Sequence, residues 1–344
     1  MAPRLAATIA FGLAVGPADA AEVLTHQIGG EIIALQRQGS IGPGVPPARA
    51  GDDPLLVLTA DGGVFRVALH GGRIRLDSAP EPPPPDERRP GMLPDGEVTR
   101  GSSRVARAWL IGPTQRYRHG ILGDAVEASG LSVERDDGGV FELHLDERSV
   151  FEDRRVRIAD LDGDRIEELL VVRSYLDRGA ALSVIALSPD GLEPRVETPP
   201  IGRPHRWLNP VGAADFDGDG VTEVAYVETP HIGGILVLYE YRADALALEH
   251  RIPGFSNHAI GCRTQDLAAL VDWDGDGTPD MAVPDAQRRA LRIVTFAGGS
   301  FAELDRIESP SPITTAVIAA VLPPDKVAAI AYGLADGTLV VVSP

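Results

Sequence analysis

Three short acidic loops carry side chains whose types and spacing suit the binding of a hard metal cation. In each loop, carboxylates occupy positions 1, 3, 5 and 9. Those oxygens, with the main-chain carbonyl of position 7, can surround one ion, and calcium takes six to eight oxygen ligands. The predicted ligands are Asp160, Asp162, Asp164, Ile166 and Glu168 in the first loop, Asp215, Asp217, Asp219, Val221 and Glu223 in the second, and Asp272, Asp274, Asp276, Thr278 and Asp280 in the third.

The alternative interpretation is that these loops are solvated acidic turns, because Asp and Gly are common turn residues. Without a cation, however, carboxylates packed this closely would repel one another. The same frame also recurs three times at similar intervals along the chain. The recurrence favours metal binding, and the sequence predicts up to three calcium ions.

The segments around the loops read as strands rather than helices. An EF-hand needs a bidentate Glu at position 12 and a helix on each side, but position 12 is Val171, Tyr226 and Val283 here. The flanking segments are short, rich in Val and bounded by Gly, Pro or Asp, which is typical of strands. Each acidic loop is therefore predicted to join the two strands of a hairpin.

A repeat of strands organises most of the chain. A strand, a turn and another strand follow each acidic loop, and the same rhythm recurs without acidic loops near both ends. A degenerate central unit is predicted, with strands at His119–Asp124, Leu131–Glu134 and Val140–Leu145. Consecutive units of this size predict an all-β fold, a β-propeller of six or seven four-stranded blades, of which six are resolved in the repeat. A β-sandwich is the alternative, but it does not explain the regular repeat.

The two ends of the chain are predicted to complete one blade together. The last unit ends after its third strand, at Val342. An N-terminal hairpin, Val23–Ile28 with Glu31–Gln36, is predicted to join that C-terminal blade and close the ring. Closure would remove exposed strand edges, which promote aggregation. A proline-rich insertion at residues 79–96 is predicted to be an exposed, extended loop.

The N-terminus and the overall charge bear on location and partners. Residues 1–20 resemble a secretory signal, with Arg4, an apolar stretch at Leu5–Val15 and a small-residue cleavage site ending at Ala20. This predicts a periplasmic or secreted mature protein, residues 21–344, folded as one domain. No segment reaches the roughly 20 apolar residues that span a bilayer. The formal net charge of −18 argues against nucleic acid and anionic membranes as partners. We expect a monomer.

The acidic loops with their following strands resemble a known repeat. Residues 158–172, 213–227 and 270–284 are similar to the FG-GAP/VCBS repeats of integrin-α-like propellers. The resemblance implies a calcium-stabilised propeller, generally of seven blades. It implies no particular activity, because such repeats occur in adhesion proteins, extracellular binding modules and some enzymes.

The first loop departs from the repeat pattern at Arg165, where the other loops have Gly220 and Gly277. Glycine readily adopts a positive φ, whereas arginine does so at a cost. The first metal site is therefore expected to be the weakest. Glu167 stands beside Glu168, so the last ligand of this loop stays open between them.

Side chains suited to ligand binding are predicted to gather opposite the acidic loops. They precede the first strand of a blade or join its second and third strands. The candidates are His119, Arg173, Tyr175, His205, Arg206, Trp207, His231 and His258. Arginine binds carboxylate or phosphate through two bonds at once, and aromatic faces support apolar ring surfaces.

Two function classes remain open at this point. The favoured one is a binding module whose face contacts a polysaccharide, a peptide or a protein. The alternative is a lyase or hydrolase acting on an anionic polysaccharide or a phosphoester, although the motifs H-E-x-x-H, G-x-S-x-G and G-x-x-x-x-G-K-[ST] are absent. Converging histidines could also bind zinc or copper. The structural alternative is that these His and Asn side chains bond the backbone of a neighbouring blade.

Overall fold

The computed structural model describes residues 21–37, 54–82, 88–242 and 245–344. Within these ranges the chain is all β, apart from a 3-10 turn at Ala297–Gly299. Its antiparallel sheets comprise four of four strands and one of eight. None of the helical structure in these ranges is long and apolar enough to cross a membrane. The signal predicted for residues 1–20 lies outside the described residues.

The strands follow one another along the chain with short connections. The first half contains β1 (Glu22–Gln27), β2 (Ile32–Arg37), β3 (Leu55–Thr59), β4 (Val64–Leu69), β5 (Ile74–Ser78), β6 (Val105–Thr114), β7 (Glu127–Arg135), β8 (Val140–His144), β9 (Ser149–Phe151), β10 (Arg157–Ala159), β11 (Glu168–Tyr175) and β12 (Gly179–Ser188). The second half contains β13 (Gly191–Glu197), β14 (Leu208–Ala214), β15 (Glu223–Glu228), β16 (Ile235–Arg242), β17 (Ala245–Pro253), β18 (Ala269–Val271), β19 (Asp280–Pro284), β20 (Ala290–Thr295), β21 (Ala302–Glu308), β22 (Ile318–Leu322), β23 (Val327–Gly333) and β24 (Thr338–Ser343).

The first strand of the chain completes the last sheet. β1 pairs antiparallel with β24, with Glu22 opposite Ser343 and Gln27 opposite Thr338. The resulting order is β1-β24-β23-β22. The prediction that the N-terminus joins the C-terminal unit therefore holds for one strand, and this strand covers the edge that β24 would otherwise expose.

The second strand of the predicted N-terminal hairpin belongs elsewhere. β2 does not pair with β1 but with β3, with Arg37 opposite Leu55, and it begins the sheet β2-β3-β4-β5. The correction has a packing reason. Ile32 and Leu35 of β2 are buried in an apolar cluster with Val57 and Val67 of their own sheet and Leu339 of the last sheet.

The eight-stranded sheet combines two units that share an edge. Its main order is β13-β12-β11-β9-β7-β6, with β10 also paired to β11 and β8 also paired to β7. β9 and β10 both pair with β11, so they occupy one strand position that is interrupted at residues 152–156. Phe151 of β9 also pairs with Ala128 of β7, which joins the two units.

The central unit differs from its prediction. No strand forms at His119–Asp124, where Gly120 and Gly123 have φ of 66° and 101° and the chain turns. β6 instead supplies a strand that the sequence pattern did not single out, with Ala108 and Leu110 fully buried. Positive φ breaks the extended backbone, which accounts for the turn.

The end of the proline-rich insertion packs against β6 rather than extending into solvent. Met92 pairs with Ile111, and Thr99 pairs with Ala108. Met92 and Leu93 are buried, which differs from the exposed loop predicted for residues 79–96. Residues 92–99 thus flank β6 as an irregular fourth strand. Residues 83–87 lie outside the described ranges.

Apolar side chains fill the spaces between successive sheets. Separate clusters join β6–β8 to β9–β13, β9–β13 to β14–β17, β14–β17 to β18–β21, β18–β21 to the last sheet, and the last sheet to β2–β5. Apolar packing therefore links the units in chain order from β6 to the last sheet, and links the last sheet to β2–β5; this packing positions the loops at the two strand ends.

Candidate functional site

The three acidic loops occupy the same place in three hairpins. They join β10 to β11, β14 to β15 and β18 to β19. In each hairpin the residue before the loop pairs with the ninth residue of the loop: Ala159 with Glu168, Ala214 with Glu223, and Val271 with Asp280. The position 9 carboxylate is thus held by a strand, and the other carboxylates project from the turn.

Hydrogen bonds from the backbone hold each loop in its curled form. In the second loop, Asp215 accepts N–H bonds from Gly218 and Gly220 at 2.8 and 2.9 Å. Asp217 accepts from Asp219 at 2.9 Å. The first loop repeats these contacts at equivalent positions, and the third repeats the contact from position 5 to position 3. The carboxylates are thus prearranged around a common centre.

The loops bring carboxylate oxygens within 4.8 Å of one another. The groups are Asp160, Asp162 and Glu168 in the first loop, Asp215, Asp217, Asp219 and Glu223 in the second, and Asp272, Asp274 and Asp276 in the third. Of the predicted acidic ligands, Asp164 and Asp280 fall outside these groups. The second loop is the most complete, although Arg242 also contacts Asp219 at 2.8 Å. Such groups suit a hard cation with oxygen ligands.

The position 9 carboxylates of the second and third loops are buried and incompletely bonded. Glu223 has no exposed surface; one oxygen accepts the Phe216 N–H at 2.6 Å, and the other has no hydrogen-bond partner. In the same way, one oxygen of Asp280 accepts the Trp273 N–H, and the other has no hydrogen-bond partner. Burial and the adjacent aspartates raise the pKa of Glu223 to about 8 and that of Asp280 to about 6. An oxygen-seeking cation would satisfy the unpartnered atoms.

Glu167 and Glu168 have different roles: one belongs to the acidic loop, and the other bonds a neighbouring segment. Glu168 accepts the Leu161 N–H at 2.9 Å, so it occupies the position 9 place of the frame. Burial and the nearby aspartates raise the pKa of Glu168 to about 7. Glu167 turns away and accepts the N–H groups of Ser102 and Ser103 at 2.6 and 2.7 Å. Burial opposes ionisation of Glu167, but these bonds and the Ser103 hydroxyl lower its pKa.

The predicted ligand residues lie at the strand ends remote from the acidic loops. Glu168 begins β11 beside its acidic loop, whereas Tyr175 ends β11 opposite Gly179. The loop that carries His231 likewise follows the far end of β15. His119 lies between β6 and β7 rather than ahead of a first strand, because of the different strand assignment in that unit.

One group of aromatic rings surrounds His119. The His119 and His205 ring centroids are 5.2 Å apart, and Tyr117 stacks on His205 at 5.0 Å. The backbone N–H of His205 donates to the Tyr117 hydroxyl at 2.7 Å. Nδ1 of His119 lies 2.6 Å from Oε1 of Glu152, a fully buried carboxylate. His119 is thus oriented by a buried carboxylate, and 15% of its side chain is exposed.

A second group contains Trp207, His231 and His258. The ring of Trp207 is parallel to that of His231 at 6.2 Å, and its centroid is 4.8 Å from that of His258. The indole N–H donates to the Glu152 carbonyl at 2.9 Å, which connects the two groups. Trp207 and His258 are buried, and His231 is half-buried. Of this second group, His231 alone reaches the surface.

The remaining predicted ligand residues have structural partners or stand exposed. Arg173 forms an ion pair with Glu197 at 2.8 Å, and the Tyr175 hydroxyl donates to Glu197 at 2.5 Å. Arg206 is half-buried and donates to the His205 carbonyl at 3.0 Å. Arg173 and Tyr175 therefore brace each other through Glu197, and Arg206 braces the loop of His205.

Asparagines near these rings bond the backbone between sheets. The Asn209 amide donates to the carbonyls of Asn257 and Gln265 at 3.0 and 2.8 Å, and the Asn257 amide donates back to Asn209 at 3.0 Å. Both side chains are fully buried. The structural alternative is thus correct for these asparagines, and also for Trp207, whose N–H reaches the neighbouring sheet.

Acidic residues behind the histidines were not predicted. Burial, then the charge of Glu152, raises the pKa of Glu127 to about 9, so it is neutral at pH 7. Burial also raises the pKa of Glu152, against the opposing effect of His119. Glu152 lies in the interruption between β9 and β10, and no local motif marks it.

A scan of the chain against protein-family models and a search of curated proteins found no match.

Proposed function

We propose that this chain is an exported, calcium-binding β-propeller that acts as a binding module, with its ligand site opposite the calcium loops. The main support for calcium binding is the buried oxygen of Glu223, which has no hydrogen-bond partner and lies beside three converging aspartates. The same arrangement of Asp280 in a second loop supports a recurring metal frame.

Six blades fit the sheet order best. The units would be β2–β5, residues 92–99 with β6–β8, β9–β13, β14–β17, β18–β21, and β22–β24 with β1. β14 adjoins β18, β18 adjoins β22, and β22 adjoins β4. β14, β18 and β22 are the first strands of their units, and their succession supports an axis around which the sheets are arranged. The pairing of β1 with β24 supports closure of the ring by both chain ends.

Calcium is the cation that suits the donor set. Each loop offers only oxygen atoms, from several carboxylates and a main-chain carbonyl, and calcium accepts such flexible sets, whereas magnesium demands a tight octahedron. Nitrogen and sulfur donors, which zinc and copper favour, are absent from the loops. Bound ions would neutralise carboxylates that repel one another and would stabilise the native state by mass action.

The opposite strand ends supply the binding face. Leu176, Ile232 and Ile260 are large apolar side chains that stand exposed there, beside Tyr175, His231 and the loop of His258 respectively. Exposed apolar groups next to aromatic rings and arginines favour a binding surface. Loops on a rigid scaffold are a common place for such surfaces.

Thermal melts with and without calcium test the metal assignment. Protein stripped with a chelator should melt at a lower temperature than the same sample with added calcium, whereas magnesium should restore less. Calorimetric titration should give up to three calcium ions per chain. A melt that does not respond to calcium would contradict the proposal. Asp336→Asn is the matched control, because Asp336 lies in a turn that lacks the acidic frame and bonds only Thr338.

An enzyme is the second candidate, and the contact between Glu152 and His119 favours it. A buried carboxylate that fixes an imidazole beside a second imidazole, His205, can support general acid–base catalysis. The substrate class would be the anionic polysaccharide or phosphoester predicted from the sequence. Loss of turnover in His119→Gln and His205→Gln, with binding retained, would favour this candidate over the binding module.

A further inference from the structure

Four arginines stand close together on the proposed ligand face without a strong acidic partner. Arg118, Arg178 and Arg203 are exposed, and Arg206 is half-buried. Among the described residues, Arg118 and Arg203 make no hydrogen bond or ion pair. Arg178 approaches only Asp177, at 3.9 Å, and that carboxylate is mostly in solvent. Most other arginines among the described residues form an ion pair with a carboxylate, as Arg173 does with Glu197, so these guanidinium groups leave positive charge available on this face.

The backbone ties the four residues together. The Gly202 N–H donates to the Arg178 carbonyl at 2.8 Å, and the Ala180 N–H donates to the Arg206 carbonyl at 2.9 Å. A Cβ atom on Gly179 would collide with the carbonyl oxygen of Arg203, so only glycine allows the β11–β12 turn to approach this loop. The segments that carry Arg178, Arg203 and Arg206 are therefore fixed against one another.

His205 connects this loop to Arg118. The backbone of His205 has a φ of 56°, which is unfavourable for residues other than glycine. Backbone strain of this kind persists only where the surrounding structure enforces it, and it is concentrated at functional sites. The His205 ring stacks on Tyr117, which precedes Arg118 in the chain. These contacts hold the loop of Arg203, His205 and Arg206 against the segment that carries Arg118.

Aromatic rings lie within the same patch. The guanidinium of Arg178 lies 4.1 Å from the ring centroid of Tyr175, and the His205 ring rests on Tyr117. Arginine heads recognise oxyanions in bidentate geometry, and the exposed ring of His205 can support the apolar face of a sugar. The positive charges are spread over three loops instead of converging on one point, which suits a ligand with repeated single charges.

We propose that Arg118, Arg178, Arg203, Arg206 and His205 form a binding site for an acidic polysaccharide, whose carboxylate or sulfate groups contact the arginines in succession. This inference rests on the proposed binding function and names its ligand class. The net charge of −18 acts against any polyanion at a distance, but charges beyond about 8 Å are screened at physiological ionic strength. Short-range arginine contacts therefore decide the binding.

Calorimetric titration of the full chain in calcium tests this inference. The probes are a galacturonate oligomer, a heparin oligomer, a neutral galactan oligomer of the same length and an oligothymidylate of the same charge. At least one acidic sugar should bind, more weakly as sodium chloride is added, and the neutral sugar should not. Comparison of the galacturonate and heparin oligomers shows whether the site recognises carboxylate or sulfate groups.

Arg118→Gln and Arg203→Gln should each weaken binding of the acidic sugar about tenfold, as expected for loss of a charge-assisted hydrogen bond. Arg75→Gln is the matched control. Arg75 is exposed on β5, is distant in sequence from the proposed site, and forms an ion pair with Asp77. The substitution changes the net charge equally and should leave binding unchanged. Melting temperatures in calcium verify that each variant is folded.

The inference is overturned if neither acidic sugar binds, if the arginine variants bind as tightly as wild type, if neutral and acidic sugars bind equally, or if oligothymidylate binds more tightly. None of these outcomes touches the calcium response, which tests the proposed function separately. If acidic sugar binds but Arg75→Gln weakens it as much as Arg203→Gln, the attraction is diffuse and the proposed site is wrong.

Discussion

Nε2 of His231 lies 2.9 Å from Nδ1 of His258, and Nε2 of His258 lies 2.9 Å from the carbonyl oxygen of Cys262. A carbonyl oxygen can only accept, so Nε2 of His258 carries a proton. In its neutral form His258 then accepts through Nδ1 the proton on Nε2 of His231. The two tautomers are thereby fixed. This short relay requires His258 to be neutral, because a proton on its Nδ1 would leave the Nε2–H of His231 without an acceptor.

Acid should weaken the fold through these two histidines. Burial lowers the pKa of His231 to about 4 and that of His258 to about 3; Arg288 and the neighbouring imidazoles add to the effect, and the Cys262 carbonyl partly opposes it for His258. An unfolded histidine binds its proton near pH 6.5. Stability is therefore fully present above pH 6.5 and falls as the pH drops towards 4, by up to about 1.4 kcal/mol per pH unit for each ring.

Denaturant unfolding between pH 6.5 and 5 measures this effect, and His231→Gln should flatten the pH dependence. Nuclear magnetic resonance of the ring protons should show both imidazoles neutral at pH 5. If His258 titrates near pH 6.5 in the native protein, the relay does not exist.

Arg165 should store strain that glycine would relieve. Arg165 has φ of 71°, where the equivalent Gly220 has φ of 89°. Left-handed backbone costs a non-glycine residue about 1–2 kcal/mol, and the greater freedom of unfolded glycine offsets part of that. Arg165→Gly should thus stabilise the protein by up to about 1 kcal/mol in denaturant unfolding.

Gly220→Ala is the reciprocal control for Arg165→Gly. No atom lies within 4 Å of a Cβ placed on Gly220, so the substitution tests the backbone conformation alone. It should destabilise by about 1 kcal/mol. Opposite signs for the two variants are expected, and equal signs would mean that side-chain contacts of Arg165 outweigh its backbone strain.

The second acidic loop should contribute more calcium-dependent stability than the first. Four carboxylates converge around Asp217, whereas three converge around Asp162. Asp217→Ala should therefore reduce the calcium-induced rise in melting temperature more than Asp162→Ala. Both variants should be compared in chelator as well, where the difference should largely disappear. Equal losses in calcium would show that Arg165 does not weaken its site.

Local sequence patterns predicted the acidic hairpins, but they did not predict features that depend on contacts between residues distant in sequence. The D-x-D-G-D spacing is local, so a strand was expected on each side of every acidic loop, and the second loop lies between β14 and β15 (Glu223–Glu228). β6 was missed because Gly112 and Pro113, near its end, read as a turn signal. Glu152 was missed for a different reason. Its role depends on His119, which is distant in sequence, and burial that arises from tertiary packing leaves no periodic pattern.

Replacing Glu127 and Glu152 by glutamine should have opposite effects. Burial, then the charge of Glu152, raises the pKa of Glu127 to about 9, so its native form is neutral up to that pH, while the unfolded chain ionises it near 4.5. The contribution of Glu127 to stability is therefore full below pH 4.5 and declines as the pH rises towards 9. Glu127→Gln removes that decline, and at pH 7 it should stabilise by at least about 1 kcal/mol, and by more at pH 8.

Glu152→Gln serves as the contrasting variant in the same unfolding measurements. It replaces a carboxylate that contacts His119 at 2.6 Å and accepts the Ser174 hydroxyl. Breaking a buried pair of this kind should destabilise by about 3 kcal/mol. If Glu127→Gln also destabilises, and does so equally at pH 5 and pH 8, then Glu127 is ionised in the native protein and has a cationic partner, contrary to its all-acidic surroundings of Glu152, Asp124, Asp95 and Asp153.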